Sequence, residues 1–314
     1  MEDFFYHLPV LRREVLELLK PKQNLLILDA TCGGGGHTEA FLRSGADVLA
    51  LDQDPDAVQH ISERLAHFGR RIIVRQANFR HADRVLQELG IGSIGGALLD
   101  LGVSSRQLEN AERGFSFIRN GPLDMRMDPR TSLTAATIVN EYSEEELTRL
   151  FRELGEEPAA RRIATLLVKM RKTSPFRETL PLARTIEKLV GRRGRQHPAT
   201  QVFQALRMEV NDELGALEQG LRVLTARLEP GGRIAVITFH SLEDRIVKQG
   251  FARLATGCIC PPLSSHRLCT RWKMTSLNDR STRLKVNSSL SAVSILLNRV
   301  PGGHPHRSEW SCRA

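Results

Sequence analysis

Four short, unbroken apolar runs punctuate the first hundred residues, and three of them stop at an aspartate. They are Leu25-Leu26-Ile27-Leu28 before Asp29, Val48-Leu49-Ala50-Leu51 before Asp52, Ile72-Ile73-Val74, and Ala97-Leu98-Leu99 before Asp100. Helix-length segments separate them. Continuous apolar strands are buried on both faces, which is the condition of a parallel sheet covered by helices. A fifth run, Ile234-Ala235-Val236-Ile237, follows Pro230-Gly231-Gly232, and 134 residues lie between Leu99 and Ile234. A strand-helix-strand crossover needs only about 30 residues. A helix around 208–228 can supply it, which leaves roughly 105–200 as an inserted unit. That unit reads as helical. Ser143-Glu144-Glu145-Glu146 has capping-box form and leads into Leu147, Leu150, Phe151 and Leu154 at helical spacing. Ile163, Leu166, Leu167 and Met170 repeat the spacing behind Pro158. The expected fold is α/β, a Rossmann-like sheet in two parts (1–104 and 201–298) with an inserted helical domain (105–200). The remainder, 299–314, is rich in Pro, Gly, His and Ser and is expected to be poorly ordered.

The strand ends carry the chemistry. Asp29-Ala30-Thr31-Cys32 runs into four glycines, residues 33–36, and then His37. Glycines there let a backbone approach a ligand at the carboxyl edge of the sheet, and the following helix adds free N–H groups. Asp52 stands at the next strand end, where an acid can accept both hydroxyls of a ribose. The combination points to an adenosine-type cofactor. A nicotinamide dinucleotide and S-adenosylmethionine both suit it, although the glycine spacing does not match the pyrophosphate fingerprint. Asp29 and His37 offer polar groups for a methionine arm. Asp100 ends the fourth strand near the topological switch point, where it can accept hydrogen bonds from a target amine, or simply cap a helix. Phe239-His240-Ser241-Leu242-Glu243-Asp244-Arg245 packs polar side chains beside the same edge and can orient a base or relay a proton, or serve as a helix N-cap. Asp100 and His240 are the candidate catalytic residues.

Charge is concentrated. Residues 158–195 hold eleven Lys/Arg against two Glu, and residues 248–314 hold eleven against two acids, within a chain of net charge +9. Such clustering suits a polyanion partner, or two solvated helical faces. No apolar run approaches a membrane span and the acidic start lacks a signal-peptide pattern, so a cytoplasmic protein without membrane contact is expected. Five unevenly placed cysteines (Cys32, Cys258, Cys260, Cys269, Cys312) make a disulfide framework or a zinc site unexpected.

Several longer blocks make the chain resemble the bacterial 16S ribosomal RNA cytosine N4-methyltransferase family, the MraW-type methyltransferases. They include Tyr6-His7-Leu8-Pro9-Val10-Leu11, the loop 33–37, Leu51-Asp52-Gln53-Asp54-Pro55 and Leu99-Asp100-Leu101-Gly102-Val103-Ser104-Ser105. Further on are Glu112-Arg113-Gly114-Phe115-Ser116-Phe117, Gly121-Pro122-Leu123-Asp124-Met125-Arg126-Met127-Asp128, His197-Pro198-Ala199-Thr200, Phe203-Gln204-Ala205-Leu206-Arg207 and residues 239–248. The resemblance covers about 6–262. It implies S-adenosylmethionine as cofactor, contacts from Gly35, Gly36, His37, Asp52, Phe79, Asp100 and Gln107, and a cytidine of the small ribosomal subunit's decoding region as target. It also implies an insert that helps to hold RNA. Monomer and homodimer remain alternatives, as do a nicotinamide oxidoreductase, a non-catalytic RNA-binding protein, and methylation of a DNA base or protein amide. Past the Cys-Pro-Pro segment the pattern departs from the family. Asn278-Asp279-Arg280-Ser281-Thr282-Arg283 only faintly echoes a family block, and no closing strand is expected after it.

Overall fold

The computed structural model describes residues 9–192, 197–255, 271–276, 285–286, 290–291 and 293–300. Tyr6, His7, Leu8, residues 193–195, the four cysteines after Cys32, and residues 278–283 lie outside that set. The chain opens with helix α1 (Arg12–Leu19) and then alternates: β1 (Leu26–Asp29), α2 (Gly36–Arg43), β2 (Asp47–Asp52), α3 (Pro55–Arg64), β3 (Ile72–Gln76), α4 (Ala82–Glu88), β4 (Ile94–Asp100). After β4 come a short helix α5 (Ser105–Glu109) and then α6 (Ala135–Glu141), α7 (Glu144–Glu153), α8 (Ala160–Arg171), α9 (Thr179–Val190) and α10 (Thr200–Asn211). Helix α11 (Glu213–Arg227) returns the chain to β5 (Leu228–Thr238), and α12 (Ser241–Ala255) follows. The described remainder is β6 (Arg271–Ser276), the short pair β7 (Lys285–Val286) and β8 (Leu290–Ser291), and β9 (Val293–Val300).

One seven-stranded sheet has the order β3-β2-β1-β4-β5-β9-β6. The first five strands are parallel, and β9 runs antiparallel to both β5 and β6. β1, β2 and β4 are almost wholly buried, as their unbroken apolar runs require. Two apolar clusters cover the two sheet faces, one around Leu28, Leu49, Leu99 and Val236, the other around Ile27, Val48, Leu98 and Ile237.

The expectation of no closing strand is overturned. β9 pairs along β5 from Arg233 opposite Asn298 to Thr238 opposite Val293, and along β6 on its other side. It passes the 298/299 division expected from the Pro- and Gly-rich end. The physical reason lies in Val293-Ser294-Ile295-Leu296-Leu297, a β-branched and aliphatic run suited to a pleated surface. The open edge of β5 gives that run backbone partners, and a missing family block says nothing about either.

Helices α6–α10 surround a third apolar cluster, from Phe115 and Leu123 through Leu147, Phe151, Ile163, Leu182 and Phe203 to Val210. The capping box at α7 is present in both halves: Ser143 Oγ accepts from Glu146 N–H and Glu146 Oε2 from Ser143 N–H. Asn211, the last residue of α10, stitches this helical region to its own beginning. Its Oδ1 accepts from Met127 N–H at 2.7 Å and its Nδ2 donates to Met125 carbonyl oxygen at 2.8 Å. Met125 has a φ of 65°, a left-handed conformation that is strained for a residue with a side chain. Among the described residues no helix is long and apolar enough to cross a membrane.

Candidate active site

Three parallel strands deliver three carboxylates to one edge, and each is held differently. Asp29, at the end of β1, is 1% exposed. Its Oδ2 accepts from Thr38 Oγ1 at 2.6 Å, while Oδ1 has no hydrogen-bond partner. Burial raises its pKa to about 6, against the Thr38 bond that favours the ionised form. Asp52, at the end of β2, takes Gly33 N–H on Oδ2 at 2.8 Å and Asp54 N–H on Oδ1 at 2.9 Å. Its carboxyl is thereby locked against the glycine loop, with spare lone pairs on both oxygens. Burial raises its pKa to about 6 as well, with those backbone bonds opposing. Asp100 ends β4. Its own N–H donates to Thr31 Oγ1 at 2.6 Å, and its Oδ1 is buried without a partner. Its side chain keeps 23% exposure. Burial first, then the charges of Asp29 and Glu243, push its pKa up to about 8.

The loop between β1 and α2 folds as its glycines require. Gly33 and Gly35 have φ of 49° and 81°, in the left-handed region. A Cβ at Gly36 would come within 3.1 Å of the Pro9 ring, and one at Gly35 within 2.6 Å of Ile61. His37 follows, 5% exposed, with its Nε2 3.7 Å from Asp100 Oδ2 and neither ring nitrogen hydrogen-bonded. Burial lowers its pKa to about 4, so the imidazole is neutral at physiological pH. His37 and Asp100 are thus neighbours, and Asp29 lies close enough to Asp52 and Asp100 for their charges to couple.

The remaining predicted residues are each held by contacts of their own. Gln107 is 7% exposed and both ends of its amide are engaged. Oε1 accepts from Ser104 N–H in the α5 capping box, and Nε2 donates to Asp54 Oδ2 at 2.8 Å. Phe79 lies in a 3-10 turn after β3, its ring packed so close to α11 that a Cβ at Gly220 would meet it at 2.4 Å. Asn78 beside it reaches Gln53 at the β2 end, 2.7 Å away. His240 begins the turn into α12. Its Nδ1 accepts from Glu243 N–H at 3.4 Å, and its Nε2 stands 3.1 Å from Glu243 Oε1. His240 thus pairs with Glu243, whose charge also helps to raise the Asp100 pKa.

Sequence reasoning did not single out Glu243, Asp54, Arg113 or Thr31. Glu243, 2% exposed, turns back to accept Phe239 N–H at 2.8 Å. From sequence it reads as an ordinary first-turn acid. Asp54 caps α3 and, with Pro55 behind it, carried a readable signal. Arg113 was not readable. It joins Asp54, Asp56 and the carbonyl oxygens of Arg126 and Met127, so segment 113–127 folds over the end of β2. A cavity of about 320 Å³ lies elsewhere, lined by Pro158, Arg162, His197 and Gln201 of the helical region. It holds none of the unpartnered acids.

A buried acceptor left unbonded costs about 1–3 kcal/mol. Asp29 Oδ1 and Asp100 Oδ1 thus call for hydrogen-bond donors or a cation, and a sulfonium-bearing amino acid nucleoside supplies both. The donor set fits S-adenosylmethionine. Among the described residues no cluster of His, Cys, Asp or Glu could hold a metal. A doubly wound sheet closed by an antiparallel strand next to β5, with acids at the ends of β1, β2 and β4 around the switch point, defines a Rossmann-like methyltransferase. Residues 4–297 match the MraW methylase family, and the chain belongs to that family. It is 53% identical over 260 residues to the ribosomal RNA small subunit methyltransferase H of Carboxydothermus hydrogenoformans, covering 82% of this chain and 84% of that one. The protein of the same name from Heliobacterium modesticaldum is 51% identical over 265 residues, covering 82% and 85%. That from Syntrophotalea carbinolica is 50% identical over 266 residues, covering 83% and 85%.

Proposed function

We propose that this enzyme transfers a methyl group from S-adenosylmethionine to N4 of a cytidine in 16S ribosomal RNA of the small subunit. The chain is an S-adenosylmethionine-dependent methyltransferase by family. The observation that supports the substrate reading best is Asp100 at the end of β4, whose Oδ1 is buried without a partner and whose side chain, 23% exposed, stands 3.7 Å from His37.

Each residue then has a task. Asp52, fixed by two backbone N–H groups, accepts the ribose hydroxyls. Gly35 and Gly36 keep the loop backbone close to the ligand, and the Phe79 ring stands beside the adenine. Asp29 and His37 border the methionine arm. Gln107 acts by holding Asp54 and the Asp100 loop in register. The cofactor, when bound, supplies an electrophilic methyl on a sulfonium. Asp100, ionised in the form competent for transfer, accepts a hydrogen bond from the target amine and aims the nitrogen lone pair along the transfer line. Alignment of this kind can supply several kcal/mol of the barrier. As the N–C bond forms and the S–C bond breaks, with S-adenosylhomocysteine as the leaving group, Asp100 takes the amine proton, so the rate should rise with pH toward about 8. Glu243, whose charge is felt at Asp100, and its partner His240 are the next groups of a proton relay. To present N4, the base must leave its stack. We assign RNA holding to the helical unit expected over 105–200, with the basic stretch 158–195 contacting phosphates. The enzyme is expected to work in the cytoplasm, as a monomer or homodimer.

The test is incubation with labelled S-adenosylmethionine and unmodified small subunits, followed by mass-spectrometric mapping of the modified nucleotide. N4-methylcytidine in 16S RNA is the expected product; label elsewhere, or none, refutes the assignment.

A further inference from the structure

We propose that Ile118 is a wedge that enters the RNA base stack where the target nucleotide leaves it. The inference rests on the RNA-methylating reading above. Ile118 is 85% exposed, the most exposed of the described large hydrophobic residues, ahead of Leu108 at 45% and Met170 at 41%. Isolated exposed aliphatics are common on protein surfaces. This one is unusual in being bare on a segment whose other residues are braced.

The bracing comes from both sides. On the N-terminal side, Phe117 packs its ring 4.7 Å from those of His197 and Phe203. Ser116 Oγ accepts Ile118 N–H at 3.2 Å. On the C-terminal side, Asn120 Oδ1 accepts from Leu180 N–H in the first turn of α9, and Gly121 N–H donates to Thr179 Oγ1 at 3.2 Å. Gly121 lies so tightly on Ala111 that a Cβ would come within 1.8 Å of its carbonyl oxygen. The loop therefore presents Ile118 rigidly, and nothing in the described protein covers it.

Its surroundings fit nucleic acid. Arg119, the next residue, spends one guanidinium N–H on the carbonyl oxygen of Glu109 at 3.5 Å, and the rest of that fork can meet a phosphate. That carbonyl ends α5, where Leu108 adds a second exposed aliphatic. Helix α5 begins at Ser105, just beyond the Asp100 loop, and its five residues rise only about 7.5 Å. Apolar tips set between cations are the means by which proteins part stacked bases, and a base extruded for chemistry leaves a gap one ring thick.

The experiment is single-turnover methyl transfer to unmodified small subunits at saturating enzyme, with subunit affinity measured separately. Ile118→Ala and Ile118→Ser are each expected to slow transfer about tenfold, and Ile118→Met to recover most of the rate, while subunit affinity changes by less than about threefold. Melting temperature and cofactor affinity should match the parent enzyme in all three. Transfer by Ile118→Ser at the parent rate overturns the wedge, as does a loss confined to affinity. Failure of the parent enzyme itself to form N4-methylcytidine refutes the underlying function instead.

Discussion

At the scale of residues, three carboxylates share the edge of one sheet without a fixed cation among them. Asp29 and Asp52 have pKa values near 6 and Asp100 near 8, all raised from 3.8 by burial. The folded protein therefore holds these protons more tightly than the unfolded chain. The stability they confer is complete below about pH 4 and is lost as pH rises through 6 and 8. The ligand-free enzyme should accordingly melt at lower temperature at pH 8 than at pH 5, and Asp100→Asn should flatten the upper part of that decline. A melting curve independent of pH across this range contradicts the assignment. Transfer should fall in Asp100→Asn by about a hundredfold or more, because the amide can no longer take the proton. Normal labelling of small-subunit RNA by that variant removes Asp100 from the chemistry. Asp52→Ala should weaken S-adenosylmethionine binding about ten- to a hundredfold in calorimetry, the worth of lost hydrogen bonds to a charged acceptor. These acids were legible in the sequence because a strand end is a position, and a position needs only the apolar run before it.

At the scale of elements, α11 crosses close to the turn after β3. Gly220 leaves room for the Phe79 ring, and a methyl group there would meet it at 2.4 Å. Gly220→Ala should keep α11 helical, since alanine favours helix. It should displace the ring and weaken cofactor binding several-fold, up to the roughly 1–3 kcal/mol that a stacked base is worth. Unchanged affinity in calorimetry, with unchanged circular dichroism, rules out a stacking role for Phe79. The α7 capping box was readable from four consecutive residues, since its bonds span only three positions. Arg113 was not, because its partners Asp54 and Asp56 lie 59 and 57 residues away. Nothing periodic announces such a contact. Glu243 was hidden for another reason: only the path of the backbone after β5 decides whether a first-turn acid faces water or Phe239 N–H.

At the scale of the whole molecule, β9 covers an edge of β5 that would otherwise expose unpaired backbone groups. A chain ending at residue 292 should aggregate or fail to fold, as judged by gel filtration; a monodisperse, cofactor-binding product contradicts this. Charge reversal at Arg161, Arg162, Lys169 and Arg171 should reduce both RNA affinity and its dependence on salt. An unaltered slope moves the footprint elsewhere. The parallel sheet was legible from a short apolar run in each of its first five strands. That run is nearly the whole strand in the buried β1, β2 and β4, but only Ile72-Ile73-Val74 in the edge strand β3 and Ile234-Ala235-Val236-Ile237 in β5. The closing strand was missed where the Pro- and Gly-rich stretch after residue 300 and the departure from the family pattern masked an ordinary aliphatic run.

The stitch made by Asn211 has a kinetic corollary. By bonding to Met125 and Met127 across 86 and 84 positions, it gathers the two ends of the helical excursion at one point. Once that excursion has folded, the chain linking β4 to α11 behaves as a tether of a few dozen residues rather than more than a hundred. Closing the shorter tether is easier by about 1 kcal/mol. Refolding should then protect the amides of α7 and α8 from exchange before those of β5, so that the late partner in the molecule is its sheet.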